Sequence, residues 1–451
     1  MKLPRLLFGL LLVTLVTSCN PDDGIESPTT LDEQLTQALR SVAPGGDINY
    51  FKLPSPDVLS EIPQDPLNPI TAEKVALGKL LFHETELGGN PNLAAGMKTY
   101  GCASCHQVKA GFQAGIPQGI GEGGSGFGLT GEGRTVHTDY DVDDLDIQPI
   151  RTPPALNVAF QDVMLWNGQF GATGTNAGTE ANWTPGTPIA TNNEGFEGVE
   201  IQAIAGFNVH RLQIDDEFLT NLPTYKEMLD NAFPKMPEER KYSNIGVGLA
   251  VAAYERTLLS TEAPFQKWLN GQTEELSLGA KRGALVFFGK GECYNCHTGP
   301  ALNDMDFHAI GMEDLDALNT DLSIPGALNA SLGRGGFTKN TNDEYKFKTP
   351  QLYNLKDHRF FGHGATFESI EAVIEYKNLG VVEKSTLSGH SNISQHFKPL
   401  SLTTDEIADL VDFLENGLYD SNLDRFVPSS LPSGNCFPVS DEQSKLDLGC
   451  N

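Results

Sequence analysis

Two five-residue runs hold the chemistry of this chain: Cys102-Ala103-Ser104-Cys105-His106 and Cys293-Tyr294-Asn295-Cys296-His297. Both have the form Cys-x-x-Cys-His. Two thiols at this spacing can add across the two vinyl groups of one haem, and the histidine that follows brings its imidazole to the iron. That imidazole binds metal in its neutral form, so its second nitrogen should donate to a backbone carbonyl. Zinc would need four ligands from two neighbouring cysteine pairs, and these pairs lie far apart in the chain. A redox-active thiol pair would not call for a histidine after each. The spacing therefore predicts two covalently bound haem c groups. Cys102, Cys105 and His106 hold one, Cys293, Cys296 and His297 the other, with His106 and His297 as metal ligands.

Three of the seven cysteines fall outside these runs. Cys436 and Cys450 suit a disulfide closing the loop between them, which by loop entropy is worth about 3 kcal/mol. It pins the tail and has no catalytic role. Cys19 ends a different kind of segment. Lys2 and Arg5 precede a short apolar run, Leu6 to Val16, and then Val16-Thr17-Ser18-Cys19, which resembles a bacterial lipobox. The resemblance implies a signal peptide over residues 1–18, cleavage before Cys19, and a lipid anchor on that cysteine. Residues 19–47 are polar without a clear apolar period and read as a flexible tether. No later segment is apolar and long enough to span a bilayer, so the membrane is reached only through the anchor, in the periplasm or cell envelope. A net charge of -28 disfavours nucleic acid and anionic membranes, and either favours basic partners or simply keeps the surface soluble.

The elements that position the two runs repeat. Gly78-Lys79-Leu80-Leu81-Phe82 precedes the first and Gly283-Ala284-Leu285-Val286-Phe287 the second, each within an amphipathic helical pattern. Thr152-Pro153-Pro154-Ala155-Leu156-Asn157 after the first matches Thr349-Pro350-Gln351-Leu352-Tyr353-Asn354 after the second. Leu165-Trp166-Asn167-Gly168 then matches Phe361-Gly362-His363-Gly364. Repeated order argues for duplication. The fold class expected is mainly α: two cytochrome c-like haem domains related by duplication, with long loops. The domains expected are 48–240 and 271–430, with a buried linking helix within 241–270 and a tail over 431–451. Ile245 to Leu259 supplies the apolar linking helix, and Thr404 is the expected N-cap of a helix reaching Leu418. Gly115–Gly133 and Gly168–Gly195 read as functional loops.

From about Leu77 to Leu418 the chain resembles the di-haem cytochrome c peroxidase family, which includes MauG-type maturation oxidases. The residues that carry the resemblance are Leu77 to Phe82, both haem runs, Arg151-Thr152-Pro153, Trp166-Asn167-Gly168, Gln202-Ala203, Tyr254 to Leu258, Phe307-His308 and Lys348-Thr349-Pro350. The resemblance implies hydrogen peroxide as substrate, reduced to water at the N-terminal haem. The C-terminal haem would take electrons from a small donor protein, a cytochrome c or cupredoxin. It makes Trp166 the bridge between haems and Gln202 the amide that orients peroxide. It also implies calcium between the domains and a possible homodimer.

Three features depart from the family. Leu212-Gln213 stands where the family has Glu-Met, so the acid–base carboxylate is missing; His210, Glu197 and Glu200 are the substitutes at hand. In the loop after the first haem run no histidine follows His106 until His137, the one candidate there for a removable ligand. Phe361 replaces a ligating methionine, and His363 is the favoured ligand of the second haem over His358, Met305 and Met312. These departures keep two other readings open: a MauG-type oxidase acting on an organic or protein substrate, and a non-enzymatic electron-transfer cytochrome.

Overall fold

The computed structural model describes residues 28–315 and 327–450. The signal peptide, Cys19 and the first part of the tether lie outside them. The described chain is mostly helical, with two short antiparallel ladders: Gly124–Ser125 with Thr135–Val136, and Phe307–His308 with Phe347–Lys348. No helix among the described residues is long and apolar enough to cross a membrane.

Two apolar cores organise the molecule. The first packs helices Ala72–His83, Gly198–Val209 and Asn244–Glu255 around Leu77, Leu81, Ile201, Ala205, Leu249 and Ala250. The second packs Leu278–Phe287 and Thr404–Asp412 around Ala280, Ala284, Phe287, Leu410 and Phe413. Each depends on a glycine at a helix crossing. A Cβ on Gly78 would stand 1.9 Å from the carbonyl oxygen of Ala250, and one on Gly283 would stand 1.9 Å from that of Asp409. These are the two glycines of the repeated Gly-x-Leu-x-Phe, which explains why the repeat keeps them: only hydrogen fits where the backbones touch.

The duplication extends through the loops. Asn157 and Asn354 both adopt left-handed backbone, with φ of 56° and 58°. Their amide N–H groups donate to Leu258 O and Leu418 O, and their side-chain oxygens accept from the N–H of Ser260 and Asp420. Isolated bridges then join Met164 to Phe170 and Phe361 to Phe367. This pairing shifts the sequence match by one residue. Trp166 corresponds to His363, not to Gly362, and Gly168 to Ala365, both at positive φ.

The cores divide the chain differently from the boundaries 19–47, 48–240, 241–270, 271–430 and 431–451. Pro28–Val42 is a helix, not tether. Leu31, Leu35 and Leu39 are fully buried, and Asp32 accepts from Trp268 Nε1 and pairs with Lys281 at 2.7 Å. Residues Phe51, Leu53, Ile62 and Ile70 also join the second core. The expected linking helix is the central helix of the first core, Asn244–Glu255, while Phe265, Trp268 and Leu269 pack in the second. The end of the expected second domain returns to the first: Leu423 and Phe426 enter its core. Cys436 and Cys450 are joined by a disulfide beside the helix Glu442–Leu448. The N-cap of Thr404–Asp412 is Thr403, in a capping box with Glu406, one residue before the expected Thr404.

Candidate functional site

Each Cys-x-x-Cys-His run forms a single short turn, Cys102–Ser104 and Cys293–Asn295. The four thiols form no disulfide. Burial pushes Cys102, Cys105 and Cys293 up to about 12, so they stay thiols rather than thiolates. His106 Nδ1 lies 3.1 Å from Phe112 O and His297 Nδ1 lies 3.0 Å from Leu302 O. Both acceptor residues have positive φ, 58° and 51°, which turns their carbonyls back toward the histidine. Nδ1–H donation leaves Nε2 as a lone-pair donor. Burial holds both imidazoles down to about 4 and hence neutral. Phe82 packs 6.3 Å from His106 and Phe287 6.4 Å from His297, at tilts of 53° and 51°.

The second turn opens on a largely apolar cavity. Cys293, Cys296 and His297 line it with Phe361, Ile374, Leu402 and Leu410. Arg151 lines it too, with only 2% of its surface exposed; Nη1 donates to Phe360 O, but Nε and Nη2 have no partner. Burial pulls this guanidinium down to about 9. Unpaired buried donors call for an anion. Thiols at thioether spacing, a free imidazole nitrogen, an apolar slot and an unsatisfied arginine together fit a haem and its propionates.

The two repeats meet face to face through equivalent residues. Arg151 N–H donates to His363 O at 3.0 Å, and Lys348 N–H donates to Trp166 O at 2.7 Å. Trp166 and His363 contact edge to face at 6.4 Å, and Trp166 Nε1 donates to Arg151 O at 2.8 Å. His363 stacks on Phe347 at 3.7 Å, and its Nε2 lies 3.1 Å from Asp314 Oδ1. Trp166, His363, His358 and Met312 all line the second cavity. His358 is buried, and desolvation with the nearby Arg151 charge holds it down to about 3.

The first turn packs on the apolar first core through Cys102 and Ala103, and charged groups gather on its Cys105 side. His210, at the C-terminal end of Gly198–Val209, places Nδ1 2.9 and 3.0 Å from the two oxygens of Asp146. Gln202 is half-buried on the same helix, about two turns earlier. Glu197 and Glu200, two of the expected substitutes, are both taken by Arg256, at 3.0 and 2.6 Å. His137 Nδ1 accepts from the N–H of Asp139 in its own turn. Leu212 is buried in the first core.

Sequence reasoning missed Asp146, whose contact with His210 spans 64 residues. It also missed Arg134, which donates from Nε to Ile120 O, from Nη2 to Gly121 O, and pairs with Asp441 of the tail at 3.3 Å. The acidic stretch Asp139 to Asp146 gave no local sign of which carboxylate turns inward.

Fold and site define a protein built to carry two covalent haems on duplicated domains. A family profile described as di-haem cytochrome c peroxidase matches residues 72–274. The methylamine utilization protein MauG of Methylorubrum extorquens is 29% identical over 356 residues, covering 78% of this chain and 80% of the relative. The cytochrome-c peroxidase IdrP1 of Denitromonas iodatirespirans is 29% identical over 396 residues, covering 83% and 88%. A crystal structure of a MauG-like protein associated with microbial copper homeostasis superimposes with a TM-score of 0.57 at 21% identity, covering 82% of this chain and 94% of that one. Over residues 72–274 the chain matches the di-haem cytochrome c peroxidase family, and its relatives include both MauG proteins and cytochrome-c peroxidases.

Proposed function

We propose that this protein is a cytochrome-c peroxidase that reduces hydrogen peroxide to water with electrons from a small cytochrome c or cupredoxin. Its two haems would supply the iron that takes up peroxide and the electrons that reduce it. The observation that carries the reading is the Trp166–His363 contact at the joint between repeats, 6.4 Å between ring centroids. An indole there offers an extended, easily oxidised ring between the two cofactor sites. Arg151, held between them by its backbone, turns its free guanidinium nitrogens to anionic haem edges. Gln202, on the helix that His210 caps, orients peroxide through its amide.

In this reading His106 and His297 bind iron through Nε2. His363 is the proposed sixth ligand of the second haem. Asp314 occupies its Nε2, so Nδ1 is the nitrogen left for a metal, and the carboxylate fixes the orientation of the ring. Calcium between the repeats, the Cys19 anchor and a periplasmic location complete the proposal.

A second reading, a MauG-type oxidase acting on an organic or protein substrate, is favoured by one observation: the carboxylate position is Leu212. Steady-state peroxide reduction by the purified holoprotein with a reduced small cytochrome separates the two. The peroxidase reading expects saturable turnover. Peroxide-dependent oxidation of an added organic substrate, with no oxidation of the cytochrome, supports the oxidase instead.

A further inference from the structure

The family's acid–base position is filled by Leu212, an alkyl side chain buried at 5% exposure. It cannot move a proton. Peroxide reduction nevertheless needs one moved from the oxygen that stays to the oxygen that leaves. The nearby carboxylates are already committed. Glu197 and Glu200 hold Arg256. Glu122 is fully buried, bonded to Arg211, and accepts from Tyr140 Oη at 2.8 Å and from Leu93 N–H at 3.1 Å.

We propose that His210, oriented by Asp146, is the acid–base group of the first haem. The inference rests on the peroxidase reading and deepens it.

Three observations place the pair. First, Asp146 is 3% exposed and engages only Nδ1 of His210, so Nδ1 carries the proton and Nε2 is free for chemistry. A buried carboxylate fixing the tautomer of a working imidazole is a general arrangement in proton-transfer sites. Second, His210 keeps 36% of its side chain accessible, which leaves an edge of its ring open. Gly206 lines the same helix face: a Cβ there would meet only His210 within 4 Å. Third, the pair adjoins the first haem turn. A Cβ on Gly119 would lie 3.1 Å from Cys105 Sγ, and one on Gly121 would lie 2.2 Å from Asp146 Oδ2. Two residues of chain span at most about 7 Å, so the carboxylate sits within one short stretch of the haem-bearing thiol.

The charged and titratable groups facing His210 are Asp146, Arg211 and His106. Burial pulls the His210 pKa down and Arg211 adds to that. The charge and hydrogen bond of Asp146 outweigh both, and the net shift is upward from the ordinary histidine value. In the step itself Nε2 takes the proton from one peroxide oxygen and returns it to the other. The O–O bond breaks and the protonated oxygen departs as water. The two electrons consumed come from the haem pair, and two protons from solvent turn the remaining oxygen into the second water.

The test compares wild-type holoprotein with His210→Gln and Asp146→Asn. The expected result for His210→Gln is two haems retained, an unchanged spin state of the first ferric iron by paramagnetic resonance, and a reaction with peroxide slowed about 100-fold. Added imidazole restores part of the rate. For Asp146→Asn the limb of the pH–rate profile that reports a neutral imidazole moves to lower pH, because the carboxylate that raised it is gone. Asp146→Glu moves it back. A change of the first iron from low to high spin in His210→Gln would make His210 an iron ligand and overturn the proposal. So would an unchanged peroxide rate in that variant, or an unmoved limb in Asp146→Asn. If wild type itself ignores peroxide, the peroxidase reading falls and takes this inference with it. If wild type reacts and His210→Gln reacts equally, only the inference falls.

Discussion

The two haem turns are built alike and buttressed differently. Each has a Phe about one ring width from its histidine, a left-handed residue accepting from Nδ1, and a glycine crossing one helix away. The second turn then faces an apolar cavity, whereas the Cys105 side of the first is flanked by Asp146 and Arg134 and the turn is bonded to the C-terminal tail. Ser104, inside the first run, donates to Pro438 O at 2.9 Å. Arg134 holds Ile120 and Gly121 by their carbonyls and is anchored by Asp441. The second repeat has no tail across it among the described residues. Attachment needs only the turn; what the haem does depends on what stands around it. A polar recess can deliver protons, while an apolar one suits an electron store.

If that contrast is right, removing the two histidines has unequal consequences. His106→Gly should abolish reaction with peroxide. His297→Gly should leave a single reaction of the first haem with peroxide but stop steady turnover, as stopped-flow and steady-state assays together would show. Trp166→Phe should slow electron transfer between haems while the initial peroxide reaction keeps its rate, and an equal transfer rate would remove the bridge assignment. Arg134→Ala leaves Asp441 without its buried cation and should cost about 4 kcal/mol in denaturant unfolding. Its spectral effect should be confined to the first haem. Replacing both Cys436 and Cys450 by serine should cost about 3 kcal/mol and loosen the same side of the molecule. Leu35→Ala, which opens a gap beneath the Pro28–Val42 helix at the edge of the second core, should cost about 2 kcal/mol and leave the first haem untouched.

Both haem turns and the duplication were legible in the sequence because each rests on local spacing. Cys-x-x-Cys-His is five residues long, and Gly-x-Leu-x-Phe reports one helix crossing. The Pro28–Val42 helix was legible and overlooked: Leu31, Leu35 and Leu39 recur every four residues, but polar composition outweighed the period. The one-residue slip between Trp166 and His363 came from aligning glycines. The structure aligns positive φ angles instead, and an alanine fills one of them. Partners far apart in sequence were out of reach. Asp146 meets His210 across 64 residues, and Arg134 meets Asp441 across 307. No periodicity encodes such contacts. Only the folded chain shows that Glu197 and Glu200 are occupied by Arg256.

The central claim is a division of labour: the first haem meets peroxide and the second supplies electrons. Rapid mixing of the reduced holoprotein with one equivalent of peroxide, frozen at intervals for paramagnetic resonance, follows each iron by its own signal. The account predicts that the first haem changes within the mixing time and that the second is oxidised afterwards. A response that begins at the second haem, or two irons that stay unchanged, would contradict it.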